Sequence, residues 1–205
     1  MPTGPHPYFS RAGWLPFLVV AGAALLLVVR VGWAWSLPFW LLAALIVWLY
    51  RDPEREIPAS PLAVVSPADG QILEVELVHD PYLDREARRV VIGMSGIGVY
   101  STRSPVEGKI LEPPHAGGPD GQPHGVWLRT DEGDDLVMVM HRGRLHNVPR
   151  CYVQIGERVG QGQRCGYIPT GGRVEVYLPT GSRVEVRPGS RVRAGSDVIA
   201  YLVHK

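Results

Sequence analysis

Residues 1–50 are apolar almost without interruption, and the rest of the chain is not. The stretch from Ala12 to Val29 carries no charge, Arg30 interrupts it, and the stretch from Val31 to Tyr50 is again uncharged. About 20 apolar residues in a helix cross the ~30 Å hydrocarbon core of a bilayer. The pattern therefore predicts an N-terminal transmembrane helical hairpin over residues 1–50, which would act as a membrane anchor.

The flanks of this hairpin predict its orientation. A secretory signal peptide does not fit, because residues 1–10 contain no Lys or Arg and the second apolar stretch follows at once. Both ends of a hairpin lie on one side, together with Arg51 and Arg55, and positive residues favour the cytoplasmic side. We therefore expect a protein anchored in the inner or cell membrane, with the remaining domain facing the cytoplasm. A re-entrant hairpin is the alternative, because Pro16 and Pro38 can bend the helices.

Residues 51–205 show a different pattern, which predicts a mainly β domain. Short runs rich in β-branched residues, such as Ile72–Val78, Arg89–Met94 and Leu136–Met140, are bounded by Gly, Pro or Asp. No stretch of this part has apolar residues at helical spacing over three turns. We therefore expect short strands joined by tight turns.

Two internal repeats support the β-rich interpretation. Ser66–Glu74 returns as Ser104–Glu112, and each copy places a proline before an acidic residue and a glycine. Val153–Gly162 returns as Val186–Gly195 in the form V-x-x-G-x-x-V-x-x-G. Such repeats resemble the barrel-sandwich halves of biotinyl and lipoyl carrier domains. A carrier role is excluded, because neither lysine of the chain lies at a hairpin tip between the repeats.

Composition narrows the classes of function. The 205 residues are 45% hydrophobic and 20% charged, with 21 basic and 20 acidic side chains. A nearly neutral chain without a Lys/Arg block argues against nucleic-acid binding. Cys151 and Cys165 form no CxxC pattern and are interpreted as buried, inert thiols. His141 and His146 precede Cys151 at spacings of five, which place strand neighbours on opposite faces, so no metal site is expected.

Four motifs in order resemble the short phosphatidylserine decarboxylases of bacteria and archaea. They are Arg51–Arg55 after an apolar hairpin, Val64–Gly70, Arg103–Gly108 and Gly171–Pro179. Their order and spacing agree from about Gly13 to Leu202. The resemblance implies a carboxy-lyase of phospholipid biosynthesis that converts phosphatidylserine to phosphatidylethanolamine.

The resemblance also implies the chemistry of the family. The proenzyme cuts itself between a Gly and a Ser, and the Ser becomes an N-terminal pyruvoyl group that forms a Schiff base with the substrate amine. An Asp and a His assist the Ser. Carried over by position, Asp69 is the retained Asp, Tyr100 stands at the His and Gly172 stands at the pyruvoyl-forming Ser. Arg173, which follows it, is a candidate substrate-binding residue.

These departures predict a degenerate member, or pseudoenzyme, that forms no pyruvoyl cofactor. Glycine has no hydroxyl, and a phenol with a pKa of about 10 is a poor general base near neutrality. The segment Met140–Gly143 also departs from the family pattern. Two other hydroxyls, those of Thr170 and Ser182, could replace the missing one, but Thr170 is out of register and Ser182 fits the turn after Pro179.

Two functions remain open at this point. The first is a non-catalytic lipid-binding or scaffolding protein whose partners are membrane phospholipid, a phospholipid enzyme or a second copy of the chain. The second is an active, self-processing decarboxylase that carries a pyruvoyl group. The C-terminal third also contains an arginine-rich stretch, interpreted either as a solvated face or as a surface for anionic headgroups. Its arginines are Arg173, Arg183, Arg187, Arg191 and Arg193.

Overall fold

The computed structural model describes Phe9 and residues 13–58, 60, 62–96, 98–112, 125–143 and 147–203. The chain forms two compact units, Met1–Glu54 and Arg55–Lys205. The first contains the helices and the second contains the strands. His146, one of the residues considered as a metal ligand, lies outside the described ranges.

The N-terminal unit corrects the predicted membrane anchor. Helix α1 spans Trp14–Arg30 and helix α2 spans Trp33–Leu49, each with 17 residues. At 1.5 Å per residue each helix is about 26 Å long, which is shorter than a ~30 Å bilayer core. None of the helices in the described ranges is long and apolar enough to cross a membrane. The prediction of a transmembrane hairpin is therefore wrong, and the membrane-anchored, cytoplasm-facing localisation derived from it has no support.

The uncharged stretches are longer than the helices because the backbone turns between them. Gly32 has a φ of 113°, a conformation that L side chains rarely adopt, and α2 begins at the next residue. The helices contact each other, and few of their residues are buried: Ala24, Ser36, Ala43 and Ile46. Small side chains at this contact allow the two backbones to approach closely.

The second unit is built from strands, which confirms the mainly β prediction. The strands are β1 Ala63–Val65, β2 Gly70–Asp80, β3 Arg85–Met94, β4 Ser101–Arg103, β5 Gly108–Leu111, β6 Gly125–Arg129, β7 Asp135–Met140, β8 Arg150–Cys151, β9 Arg158–Val159, β10 Arg164–Tyr167, β11 Arg173–Pro179, β12 Arg183–Val184, β13 Arg191–Val192 and β14 Val198–Tyr201. The largest sheet has the order β13-β2-β3-β11-β7-β6-β5-β9, and the two smaller sheets are β1-β14-β12 and β4-β10-β8. All paired strands are antiparallel.

Strand β11 lies in the middle of the large sheet, between β3 and β7, and both of its faces are covered. Val174, Val176 and Leu178 belong to the main apolar core. Successive side chains of a strand point to opposite faces, so Glu175 and Tyr177 lie on the other face. Tyr177 there joins a smaller apolar cluster with Tyr82, Ala87, Val137 and Val139. The two residues that precede this central strand are Gly171 and Gly172.

The two Ser-Pro repeats adopt matching local structures and bond to each other. Val65 N donates to Pro105 O at 2.9 Å, and Arg103 N donates to Pro67 O at 2.8 Å. Within each repeat the buried serine closes the same turn, because Ser66 Oγ donates to Ala68 O and Ser104 Oγ donates to Val106 O. The second unit therefore contains two halves related by an approximate internal twofold.

The C-terminal repeats complete these two halves in the same way. β13 pairs with β2, where Val192 lies opposite Gly70, and β9 pairs with β5, where Val159 lies opposite Gly108. Matching backbone bonds flank the pairs: Gly189 N donates to Ile72 O at 2.8 Å, and Gly156 N donates to Ile110 O at 2.9 Å. Each half thus combines one Ser-Pro repeat with one C-terminal repeat.

Candidate functional site

A cleft of about 960 Å³ opens at the end of the large sheet where β2, β3, β11 and β13 meet. It brings together five of the residues singled out from the sequence, Asp69, Gly172, Arg173, Arg191 and Arg193. Tyr100 does not line it. The lining residues are Asp69, Gly70, Gln71, Leu73, Gly93, Met94, Ser95, Arg142, Gly172, Arg173, Arg191, Val192, Arg193 and Asp197.

Asp69 is held in the turn that leads into β2 by contacts to both of its oxygens. Arg55 Nη2 donates to Asp69 Oδ2 at 2.7 Å, and the backbone N–H of Ala194 donates to Asp69 Oδ1 at 2.6 Å. Both side chains of the Arg55–Asp69 ion pair are largely buried, at 16% and 20% exposure. Charge-assisted hydrogen bonds of this kind are among the stronger ones in proteins. Asp69 is therefore firmly oriented at the wall of the cleft.

Gly171 is required by the backbone. Its φ is +68°, and a Cβ at this position would lie 2.5 Å from the carbonyl oxygen of Ser95. Every other residue type would be strained in this conformation and would displace the neighbouring main chain.

Gly172 differs from Gly171 in this respect, because its φ lies outside the left-handed region. A Cβ at residue 172 would lie 3.0 Å from Ile168 Cγ2 and 3.2 Å from the carbonyl oxygens of His141 and Arg142. These contacts are tight, but a shift of a few tenths of an ångström by the Ile168 side chain relieves the closest one. The φ of residue 172 therefore does not demand glycine, and a Cβ there would require small shifts of Ile168 and of the His141 and Arg142 carbonyl groups.

Tyr100 is 4% exposed and is used structurally. Its hydroxyl donates to Gly96 O at 2.5 Å, and its ring packs edge-on against Tyr167 with a centroid distance of 6.0 Å. Its carbonyl oxygen accepts a bond from Ile168 N at 2.9 Å. Tyr100 is thus linked to Gly172 through Ile168, the residue whose side chain lies against position 172.

The structure does not bring the two alternative hydroxyls into the cleft. Thr170 has a φ of +62°, which is unusual for a β-branched residue, and its Oγ1 donates to Pro169 O at 2.6 Å. Ser182 is buried in the turn after β11, where its N–H donates to Pro179 O at 3.0 Å. This is the place that the sequence predicted for Ser182.

Arginines dominate the charge of the cleft. Arg142, Arg173, Arg191 and Arg193 line it together with two acidic residues, Asp69 and Asp197. Arg193 is paired with Asp197, its Nη2 lying 3.1 Å from Oδ1. Over the described part of the chain no carboxylate pairs with Arg142, Arg173 or Arg191. The cleft therefore presents an excess of unneutralised positive charge.

Sequence patterns did not predict the polar cluster that Glu175 and Tyr177 of β11 form with His141. Glu175 is 5% exposed, and Tyr177 Oη donates to its Oε2 at 2.9 Å. His141 Nε2 lies 3.0 Å from Glu175 Oε1. Burial raises the pKa of Glu175, but His141, Tyr177 and the Arg89 guanidinium outweigh that effect, so its pKa lies below the ordinary value. The sequence did contain a signal for this cluster, namely an acidic residue, Glu175, between the apolar residues of a strand.

Neither cysteine takes part in the site. Cys165 is buried, and burial raises the pKa of its thiol to about 12. Cys151 is exposed, contrary to the expectation that both thiols are buried. Among the described residues no three His, Cys, Asp or Glu side chains cluster in a way that could hold a metal ion.

Comparisons with known proteins define the class of this chain. The family model described as phosphatidylserine decarboxylase matches residues 42–119 and 122–200. The chain is 42% identical to the phosphatidylserine decarboxylase proenzyme of Nitrosomonas europaea over 97% of both chains. It is 41% identical to the proenzyme of Burkholderia multivorans over 97% of this chain and 98% of the relative. The chain belongs to the phosphatidylserine decarboxylase family, whose members are pyruvoyl-dependent decarboxylases.

A solved structure shows weaker likeness. Glucose permease IIA from Mycoplasma capricolum aligns over 68% of this chain and 94% of its own, with 20% identity and a TM-score of 0.43.

Proposed function

We propose that this chain is a phosphatidylserine decarboxylase-family protein that does not process itself, forms no pyruvoyl group and keeps its cleft as a binding site for phospholipid headgroups. The observation that carries the proposal is Gly172, which lines the cleft beside Arg173 at the position where the family resemblance places the reactive serine.

The residues around position 172 do not fit the formation of a pyruvoyl group. The group would arise from the side chain of that residue, and glycine supplies neither the hydroxyl nor the Cβ. The φ of residue 172 gives no reason for the loss, because Gly172, unlike Gly171, is not in the left-handed region. The change thus removes the nucleophile at a position whose backbone conformation other residues can adopt. No step of the decarboxylation is therefore assigned to this chain.

The cleft retains what headgroup binding requires. Its volume of about 960 Å³ is in the range of small-molecule sites. A phosphatidylserine headgroup carries a phosphate and a carboxylate, and arginine guanidinium groups bind both. The headgroup chemistry and the chemistry of the cleft are thus complementary.

Denaturing mass spectrometry of the purified full-length chain tests the proposal. We expect a single intact polypeptide of 22.6 kDa, no ketone that borohydride reduces, and no carbon dioxide released from phosphatidylserine. A native C-terminal fragment with a blocked, ketone-bearing first residue would contradict the proposal.

An active, self-processing decarboxylase is the second candidate, and one observation favours it. Thr170 is held at a φ of +62° with its hydroxyl 2.6 Å from the carbonyl oxygen of the preceding peptide. Backbone strain of this kind accumulates at functional sites. This function predicts cleavage between Pro169 and Thr170 and a fragment that begins at residue 170. The same mass spectrum therefore separates the two candidates.

A further inference from the structure

The internal twofold relates the cleft to a closed cluster of charges in the other half of the unit. In that half Arg158 pairs with Glu107, its Nη2 lying 3.3 Å from Oε1, and also with Asp131. One arginine is thus neutralised by two carboxylates from the chain itself. This ion triplet, Glu107–Arg158–Asp131, lies on the surface at the end of the sheet formed by β9, β5 and β6.

The pairing of the strands identifies the arginine and the first acid that correspond to this triplet in the cleft. Arg191 lies opposite Gln71 in the β13–β2 pair, just as Arg158 lies opposite Lys109 in the β9–β5 pair. Asp69 occupies the position in its Ser-Pro repeat that Glu107 occupies in the other.

The third correspondence concerns Asp131. Gly70 and Gly108 occupy equivalent positions in the two Ser-Pro repeats. A Cβ added to Gly70 would clash with the carbonyl oxygen of Gly93, and a Cβ added to Gly108 would clash with the carbonyl oxygen of Arg129. Gly93 and Arg129 are therefore equivalent, and the residues two positions further on are Ser95 and Asp131.

The cleft thus has the arginine of the triplet, but one equivalent acid is absent and the other is bound elsewhere. Ser95 stands where the other half has a carboxylate, and Asp69 is already engaged at both oxygens by Arg55 and the N–H of Ala194. Arg191 faces the cleft without a carboxylate partner in the described ranges. In one half Arg158 is paired with carboxylates of the chain itself, whereas in the other half Arg191 faces the open cleft.

We propose that Arg191, with Arg142 and Arg173, binds the phosphate group of a ligand at the place that the Asp131 carboxylate fills in the other half. The ligand class is a phosphate ester, and the phosphodiester of a phospholipid headgroup is the member that the proposed function implies. This assignment rests on that proposed function for the identity of the ligand, whereas the anion site itself rests on the internal twofold. Phosphate bound by several guanidinium groups gains charge-assisted, directional hydrogen bonds.

The anion site is tested by measuring the binding of inorganic phosphate to the full-length chain. Thermal shift and calorimetry provide the measurement. Arg191→Gln should weaken phosphate binding about tenfold, the loss expected for charge-assisted hydrogen bonds. Arg158→Gln is the matched control, because Arg158 is itself already neutralised by Glu107 and Asp131, and this variant should leave phosphate binding unchanged. Equal phosphate binding by the two variants would overturn the proposal.

A second variant installs the missing acid. Ser95→Asp places a carboxylate at the position equivalent to Asp131, so it should pair with Arg191 and abolish phosphate binding. A control variant, Ser95→Asn, has nearly the same volume without the charge and should retain phosphate binding. Loss of binding in both variants, with their Tm unchanged, would show that the charge at residue 95 is irrelevant and would count against the proposal.

Vesicle flotation distinguishes a lipid headgroup from free phosphate as the source of the anion. Vesicles of phosphatidylcholine with phosphatidylserine should bind the wild-type chain more strongly than they bind Arg191→Gln, with Arg158→Gln equal to wild type. If wild type binds phosphate but binds neither these vesicles nor vesicles of phosphatidylcholine alone, the anion site stands and the proposed phospholipid function fails. If wild type prefers these vesicles but Arg191→Gln matches Arg158→Gln in both assays, the phospholipid function stands and the anion site fails.

Discussion

Arg55 and Asp69 form an ion pair of 2.7 Å at the wall of the cleft. Asp69 is the acid of the Ser-Pro-Ala-Asp-Gly turn, and its other oxygen accepts the N–H of Ala194 beside β13. One carboxylate therefore ties the segment before β1, the turn before β2 and the C-terminal repeat together. This accounts for an acid at residue 69 independently of catalysis.

Asp69→Asn should destabilise the second unit by roughly 1–3 kcal/mol, because the largely buried Arg55 guanidinium loses its counter-charge. The asparagine oxygen can still accept the Ala194 N–H, so the change isolates the charge. Glu185→Gln is the control, since its partner Arg183 is 71% exposed and such surface pairs contribute little. Urea denaturation measures the stability of both variants. Equal midpoints would show that the Arg55–Asp69 pair does not stabilise the second unit.

The two adjacent glycines should respond differently to an added methyl group. Gly171→Ala should cost about 2–4 kcal/mol, because its φ of +68° and the 2.5 Å approach to Ser95 O both penalise a Cβ. Gly172→Ala should cost about 1 kcal/mol, since its φ is not in the left-handed region and its contacts of 3.0–3.2 Å with Ile168 and two carbonyl oxygens require only small shifts. Denaturant unfolding of the paired variants provides the check. If Gly172→Ala lost as much stability as Gly171→Ala, glycine would be structurally required at residue 172.

Glu175 should contribute a pH-dependent part of the stability. Its pKa is lowered in the folded state, so the unfolded chain binds its proton more readily. Its contribution is therefore fully present above the ordinary value of 4.5 and is lost as the pH falls below that value through the folded pKa.

Glu175→Gln should accordingly flatten the loss of stability of the wild type below pH 4.5. Denaturation midpoints measured at a series of pH values test this. Glu132→Gln, in an exposed turn, should keep the wild-type profile. An unchanged acid profile in the Glu175 variant would refute the coupling with His141 and Tyr177.

The strands were predictable because short β-branched runs and turn residues are local signals. Leu136–Met140 was expected and the strand begins one residue earlier, at Asp135. Ile72–Val78 was expected, and the strand extends to Asp80. Hydropathy, by contrast, shows where charges are absent and not where a helix stops. The break in the apolar pattern at Arg30 indicated the turn between the helices, but the ends of each helix could not be located, and the uncharged stretches were mistaken for membrane spans.

The site was only partly predictable for a related reason. Asp69 and Gly172 lie in recognisable motifs, and the structure places both in one cleft. Ser95 belongs to no motif, and Arg142 lies in a segment that departs from the family pattern, so both reach the cleft only through the pairing of β3, β11 and β7. The repeats were visible in the sequence, but the comparison of Ser95 with Asp131 requires the register of the strands. Long-range pairing of this kind leaves no local pattern.

Restoring the nucleophile alone should not restore self-cleavage. A serine at residue 172 fits with a small shift of Ile168, but a hydroxyl needs a base to become nucleophilic. Tyr100 offers a phenol whose proton is already donated to Gly96 O. We expect Gly172→Ser to remain a single chain in the denaturing mass spectrum.

Gly172→Ser combined with Tyr100→His should give partial cleavage between Gly171 and residue 172, because the imidazole supplies the base that the family resemblance assigns to position 100. The double variant also loses the Tyr100 hydrogen bond to Gly96 and the ring contact with Tyr167, so its folding is checked by circular dichroism before its mass is measured. Gly172→Ala with Tyr100→His is the control and should stay intact, since it lacks only the hydroxyl. A folded double variant that stays uncut would show that these two changes are not sufficient to explain the loss of processing. Cleavage by the alanine control would show that the bond is opened by a group other than the side chain of residue 172.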